Sequence, residues 1–234
     1  MVEVPLGAGM FLEHRDFLNP AEVARLVSLS RTLKFVEGRL SNPANTTKQN
    51  LQADLSDPGY AESAAIVMAA FERSRSFQDF AFPRKIAPPL LSRYSPGMQY
   101  GAHGDAAYMV VPSPQGPVTL RSDVSCTVFL NDPTSYEGGE LVLHLGTRPV
   151  PIKGRPGEAF VYPSSLLHEV RPVRSGERLV SITFIESLIP DEQNRNALYE
   201  LNEVAALEGL KMDWVNRVRL GVVIQNLLRQ WSVS

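Results

Sequence analysis

The chain has 234 residues, of which 44% are hydrophobic and 21% charged, and its formal net charge is −2. That length suffices for a substantial core in one main domain, and so small a net charge exerts no broad pull on nucleic acid or anionic lipid, which are therefore disfavoured as partners. Residues 1–17 carry an early acid, no basic leader and no long apolar run, so neither a signal peptide nor a membrane span is expected and a cytoplasmic location is the default.

The first element is announced by Asn19-Pro20-Ala21-Glu22. Asn19 suits an N-cap, Pro20 the first helical position and Glu22 the return half of a capping box, so a helix should run through AEVARLVSLSRTL. The polar stretch 41–59 follows, in which Lys48, Asn50 and Gln52 alternate and would share one face if extended. An ordinary solvated loop is the favoured expectation there, and a substrate-contacting face the sharper one. A second helix is expected over YAESAAIVMAAFERSRS, residues 60–76, whose apolar residues occupy much of its circumference.

From about residue 86 to 187 the texture changes to short apolar or alternating runs divided by turn signals, as in VSCTVFLNDP, GGELVLHLG and ERLVSITFIES. Short strands at this spacing point to an antiparallel sandwich or barrel. Pro156-Gly157 suits a type II turn, Ser175-Gly176 a chain reversal, and Gly138-Gly139 a turn entering a strand. Cys126, the single cysteine, lies inside an apolar run and reads as a small core hydrophobe. The tail returns to helical spacing, with Leu198, Leu201, Val204 and Ala205 on one stripe and Trp214, Val218, Leu227, Leu228 and Trp231 beyond. Packing against the parent domain is the first expectation for these stripes, and a homodimer face the second.

The residues that carry chemistry begin with MQYGAHGD, positions 98–105. On or beside a strand, His103 and Asp105 project to one face, because side chains alternate with a period of two. His168 opens an apolar strand far downstream. Two imidazoles and a carboxylate are the facial set of non-haem Fe(II) oxygenases, which leaves three coordination positions open. A closed zinc site would call for four protein ligands, typically with several cysteines, which this chain lacks. Arg178 follows ten positions after His168, and the turn at 175–176 brings it back toward the same interior. There its guanidinium could hold a carboxylate in a two-pronged pair. His14 and His144 fit no motif and read as structural, while Arg171 and Arg174 read as solvated turn residues that could also attract an anion.

HGD, FLNDPTSYEGGEL and GEAFVYPSSLLHEVRPVRSGERLVSITF together resemble the bacterial PKHD-type hydroxylases, which are Fe(II)- and 2-oxoglutarate-dependent dioxygenases of the prolyl/lysyl hydroxylase type. The resemblance spans nearly the whole chain. It implies a mainly β fold with flanking α-helices, a double-stranded β-helix or jelly-roll barrel carrying N-terminal helices at about 19–75, a core at about 86–187, and a C-terminal helical extension at 188–234 packed on the dioxygenase domain of residues 1–187. It also implies His103, Asp105 and His168 as ligands of Fe(II), Arg178 as the anchor of 2-oxoglutarate, and Tyr94 and Tyr100 as walls of the co-substrate pocket. A second pocket tyrosine often precedes the LN pair of the later strand in related prolyl hydroxylases; Phe129 stands there instead. The resemblance further implies dioxygen as oxidant, L-ascorbate as the usual reductant, and hydroxylation of an unactivated C–H bond with formation of succinate and carbon dioxide. The substrate, peptidyl or small, is left open, with Lys48, Asn50 and Gln52 as candidate contacts. A non-catalytic jelly-roll module that binds a metal or small ligand is the alternative, and Arg178 speaks against it, since a bare metal binder has no use for a guanidinium there.

Overall fold

The computed structural model describes residues 10–41, 45–113 and 116–233. Helix α1, Pro20–Thr32, starts as the capping residues require: Asn19 Oδ1 accepts from the Glu22 amide at 3.0 Å while the Glu22 carboxylate accepts from the Asn19 amide at 2.9 Å. The single helix expected over 60–76 is two, α2 (Pro58–Arg73) and α3 (Arg75–Ala81). Ser74 separates them with φ −81° and ψ 100°, closing α2 through its amide to Ala70 O and capping α3 by accepting from the Phe77 amide at 3.2 Å. Helical periodicity runs through this junction without a visible interruption, and only the serine's capping ability marks it. The break sets the Phe77 ring 4.6 Å from that of Phe71, and both are buried.

Two antiparallel sheets face each other. The larger runs in the order Leu12–His14, Ala159–Pro163, Val124–Phe129, Arg178–Ser187, Leu90–Tyr94, Leu51–Ala53 and Phe35–Glu37, with Pro83–Ile86 pairing the far end of Arg178–Ser187. The smaller runs Arg148–Ile152, Leu141–Leu145, His168–Val170, Gln99–His103 and Lys48–Gln49. The fold is the mostly β jelly roll with flanking helices that the sequence implied, but the two sheets do not hydrogen-bond into a closed barrel. One margin is bridged covalently at Asn50, where the chain leaves Lys48–Gln49 in the smaller sheet and enters Leu51–Ala53 in the larger.

Alternation on the central strand shows how the layers divide. Val124, Cys126 and Val128 join the core formed with the helices, alongside Leu26, Leu29, Phe71 and Phe77, whereas Phe129 packs between the sheets with Leu141, Leu143, Phe160 and Val180. A strand covered on both faces has to be apolar or neutral on both, and VSCTVF is buried at all six positions. Cys126 is accordingly core, and burial pushes its thiol pKa up. The glycines expected in turns take positive φ, including Gly157 at 89° and Gly176 at 74°.

The tail forms α4 (Glu192–Glu208) and α5 (Trp214–Trp231), an antiparallel hairpin whose end returns to its start, with the Val233 amide donating to Leu188 O at 2.9 Å. Leu198, Ile224 and Ile189 are buried together, and Leu201, Ala205, Leu227, Leu228 and Trp231 pack on them. Val204, Trp214 and Val218, expected on the same stripes, are exposed instead. No helix among the described residues is long and apolar enough to cross a membrane.

Replacing Asn19 by Ala removes one half of the capping box and should destabilise the protein by about 1 kcal/mol. The expected readout is a lower urea midpoint at unchanged slope; an unchanged midpoint would show that α1 is held by its Leu26 and Leu29 packing alone.

Candidate active site

His103 ends the strand Gln99–His103 and lies directly across from His168, the first residue of His168–Val170. Their rings are 4.3 Å apart. Each imidazole is oriented by a backbone carbonyl two residues earlier: His103 Nδ1 is 2.8 Å from Gly101 O and His168 Nδ1 is 2.8 Å from Leu166 O. A carbonyl oxygen only accepts, so each Nδ1 carries the proton and each Nε2 offers a lone pair. Both Nε2 atoms face Asp105 Oδ1, at 3.9 Å from His103 and 3.7 Å from His168. Two ligands on one ion at bond lengths of roughly 2.1 Å lie no more than roughly 4.2 Å apart, so the aspartate oxygen can share an ion with either imidazole.

The other carboxylate oxygen is engaged elsewhere. Ser125 Oγ donates to Asp105 Oδ2 at 2.6 Å, Ser125 and Ser164 hydroxyls are 2.7 Å apart, and Ser122 Oγ donates to Ser164 at 2.8 Å. The Asp105 amide also donates to Ser164 O at 3.3 Å. A loop residue on the smaller sheet is thereby tied to the larger one, and a single oxygen is presented to the metal position. Tyr100 stacks on His103 with centroids 3.6 Å apart, and Tyr162 meets the edge of His168 at 5.3 Å. Burial, and then the neighbouring His168, lower the pKa of His103, which favours the neutral form that binds metal.

Arg178 stands at the start of Arg178–Ser187, between Leu90–Tyr94 and Val124–Phe129 in the larger sheet, so it faces His168 from the opposite sheet rather than from a paired strand. Only 2% of it is exposed. Its guanidinium carbon sits 5.0 Å from the centre of the Tyr94 ring, its Nε has no hydrogen-bond partner, and no described carboxylate pairs with it. Gly139, with φ 65°, passes so close that an added Cβ would lie 3.2 Å from Arg178 Cδ. The glycine pair is not the expected turn: Gly138 belongs to the short strand Glu137–Gly138, which pairs with Val173–Ser175 through a register shift, and Gly139 beyond it packs closely on Val173, Tyr136 and Arg178.

One cavity of about 410 Å³ is lined by His103, Asp105, His168, Arg178, Tyr94, Tyr100, Lys48, Asn50 and Gln52, which are the metal, co-substrate and substrate candidates of the sequence. The solvated-loop expectation for Lys48, Asn50 and Gln52 is overturned. All three are buried, because the segment pairs with Gln99–His103 and then with Leu90–Tyr94 and turns its alternate side chains inward. Asn50 Nδ2 donates to Ser92 Oγ at 2.7 Å, while the Lys48 ammonium lies 5.2 Å above the Tyr100 ring. Burial lowers the Lys48 pKa to about 8, against the pull of Asp105. Phe129 stays out of the cavity and packs where Gly154 leaves room for it. The aromatic hydroxyl missed in the sequence belongs to Tyr162, hydrogen-bonded to Thr127. Its signal was the alternation of GEAFVYP, which places Tyr162 on the same face as Phe160. The outer part of the cavity is apolar, lined by Leu55, Tyr60, Pro88 and, from the strand Tyr108–Val111 that pairs with Val118–Arg121, Met109 and Val110. His14 and His144 lie outside it, and Arg171 and Arg174 are exposed and paired with Glu169 and Glu137.

Residues 89–186 match the 2OG-Fe(II) oxygenase superfamily. A PKHD-type hydroxylase from Sphingopyxis alaskensis is 52% identical over 214 residues, covering 91% of this chain and 94% of the relative. This chain belongs to the PKHD-type hydroxylases. Among solved structures, the fold is shared with a Trichoplax adhaerens prolyl hydroxylase in complex with a hypoxia inducible factor peptide fragment (TM-score 0.55, 16% identity, 82% of this chain and 88% of that one). It is also shared with HygX from Streptomyces hygroscopicus, solved with nickel, 2-oxoglutarate and hygromycin B bound (TM-score 0.52, 15% identity, 78% and 86%).

Membership of the 2OG-Fe(II) oxygenases implies Fe(II) and 2-oxoglutarate, and the residues present fit both. Two imidazole nitrogens and one carboxylate oxygen are a donor set suited to Fe(II), and an unpaired, buried guanidinium is suited to a carboxylate.

Removing the Ser125 hydroxyl frees Asp105 Oδ2, so Ser125→Ala should weaken Co(II) or Mn(II) binding by about 10–100-fold in calorimetry. Unchanged affinity would show that the serine chain does not set the carboxylate. A second expectation concerns pH. In the unfolded chain His103 takes up a proton near its ordinary pKa of about 6.5, whereas in the native protein it does so at lower pH. The unfolded state therefore binds more protons just below that value, and metal-free protein should lose stability as pH falls through it. Urea midpoints of the wild type should drop more steeply below pH 6.5 than those of His103→Gln; parallel curves would refute the assignment.

Proposed function

We propose that this enzyme is an Fe(II)- and 2-oxoglutarate-dependent dioxygenase that hydroxylates an unactivated C–H bond, with succinate and carbon dioxide as co-products. The observation that carries this reading is Arg178, a buried cation with no counter-ion among the described residues, in the same cavity as the His103, Asp105 and His168 set. A structural arginine is found with its partners, whereas one kept for a dianionic co-substrate has an open fork.

His103 and His168 would hold Fe(II) through Nε2 and Asp105 through Oδ1, and the bound iron with 2-oxoglutarate supplies the oxidation of the substrate C–H bond. The chain's own residues do the rest. Arg178 receives the distal carboxylate of 2-oxoglutarate, with the Tyr94 ring fixing the guanidinium plane from one side. Tyr100 holds the His103 ring against rotation by stacking. The apolar outer part of the cavity excludes water from the inner part, and Lys48, Asn50 and Gln52 form the wall on which a substrate is oriented. L-ascorbate acts as external reductant, keeping the metal ferrous.

Mixing the protein with Fe(II) and 2-oxoglutarate under nitrogen should give a visible metal-to-ligand charge-transfer band. His168→Ala should abolish it, and Arg178→Met should raise the 2-oxoglutarate concentration needed by about 100-fold, as expected for loss of a buried charge-assisted pair. Admitting air should then convert 2-oxoglutarate to succinate, and a mass gain of one oxygen on proteins or on metabolites identifies the substrate class. An Arg178→Met protein that binds 2-oxoglutarate normally would sink the proposal.

A further inference from the structure

The α4–α5 hairpin has a second apolar surface that the parent domain does not use. The inward face of α5, Leu220, Ile224, Leu227, Leu228 and Trp231, is packed. On its other side Trp214 is 70% exposed, Val215 and Val222 53% each, and Val218 43%, while Leu207 and Leu210 at the end of α4 and the following turn are 68% and 85% exposed. A helix apolar on two sides is one that is covered on two sides. Between α4 and α5 runs a groove of about 500 Å³ lined by Asn202, Val218, Gly221, Val222, Gln225 and Arg229. A Cβ built on Gly221 would meet nothing within 4 Å, so a partner can approach that backbone closely.

Charge indicates what covers this surface. Helix α4 carries Glu192, Glu200, Glu203 and Glu208 with one buried arginine, Arg195, whereas α5 carries Arg217, Arg219 and Arg229 and no acid. Glu200, Glu203, Arg219 and Arg229 make no ion pair with any described residue. An anionic membrane would suit α5 and repel α4, and a cationic partner would do the reverse. A second hairpin of the same kind presents both signs at once. A two-fold axis makes the contact self-complementary, setting α5 of each copy beside α4 of the other.

We propose that a second copy of this chain docks on the hairpin, so that α4 and α5 of both copies form an antiparallel four-helix bundle that seals the Trp214, Val218 and Val222 face. The helical tail is then a dimerisation element.

Light scattering after gel filtration of the full chain at about 10–100 μM should give twice the chain mass. Val218→Glu should yield a folded monomer with an unchanged circular dichroism spectrum. Because that change could perturb the hairpin itself, charge reversal provides the second test. Glu200→Arg with Glu203→Arg, and separately Arg219→Glu with Arg229→Glu, should each raise the dimer dissociation constant at least about tenfold, and the combination of all four should bring it back to within about threefold of the wild type. A wild-type monomer throughout the range, a dimer indifferent to every variant, or a monomer that instead sediments with phosphatidylserine vesicles would each overturn the proposal.

Discussion

The interior of this sandwich depends on one unbalanced charge. Arg178 is buried between two sheets with no described carboxylate to pair with it, and an ionised side chain taken from water without a partner costs several kcal/mol. The surrounding structure limits that cost without neutralising it. Tyr94 offers a ring face 5.0 Å away, and Gly139 gives the stem room that any side chain would take. The rest of the cavity follows from leaving this end of the sandwich unfilled. Phe129, Leu143, Phe160 and Val180 fill the rest of the interlayer space and Leu141 stands at the boundary, touching both this packing and the cavity.

The open margins of the two sheets are where the fold makes room for a substrate. A closed barrel would pair all its edges and leave a narrow interior. Here the chain crosses from the smaller to the larger sheet at Asn50, and the crossing turns Lys48, Asn50 and Gln52 inward as a polar wall beside the metal position. Asn50 is fixed through side chain and backbone, its Nδ2 donating to Ser92 Oγ while its main-chain carbonyl accepts from the Gly38 amide at 2.8 Å. A Cβ on residue 38 would fall 1.9 Å from Asn50 Oδ1, so glycine at that position is a condition of the wall's geometry.

Much of this was readable in the sequence because the relevant signals are local. The capping box of α1 spans four residues, His103 and Asp105 are only two residues apart, at the end of a strand and just past it, and Gly176 marks the reversal that carries Arg178 back. The failures share a cause. Lys48, Asn50 and Gln52 have the composition of a solvated loop, and only pairing with distant strands, Lys48 opposite Tyr100 and Gln52 opposite Ser92, makes them interior. Ser74 breaks a helix whose periodicity continues through it, because a serine that can cap in both directions competes with a hydrogen-bond pattern that hydrophobic spacing does not record. Whether Arg178 pairs with the His168 strand or faces it, and which aromatic supplies a hydroxyl to the cavity, are facts of sheet order, which no local pattern encodes.

The serine chain shows why the two sheets must act as one body. Asp105 follows a strand of the smaller sheet, yet its Oδ2 is held by Ser125 of the larger, and Ser164 ties both its backbone and that hydroxyl to the end of Ala159–Pro163. Any change in sheet separation therefore shifts one ligand relative to the two histidines, which are paired with each other inside the smaller sheet. A carboxylate released from Ser125 could turn both oxygens toward the metal and occupy a position needed by the co-substrate. The hydroxyl thus does more than satisfy a buried acceptor. By engaging Oδ2 it leaves Asp105 one free oxygen to offer a metal, and the close packing on both faces of Val124–Phe129 holds Ser125 in place to do so.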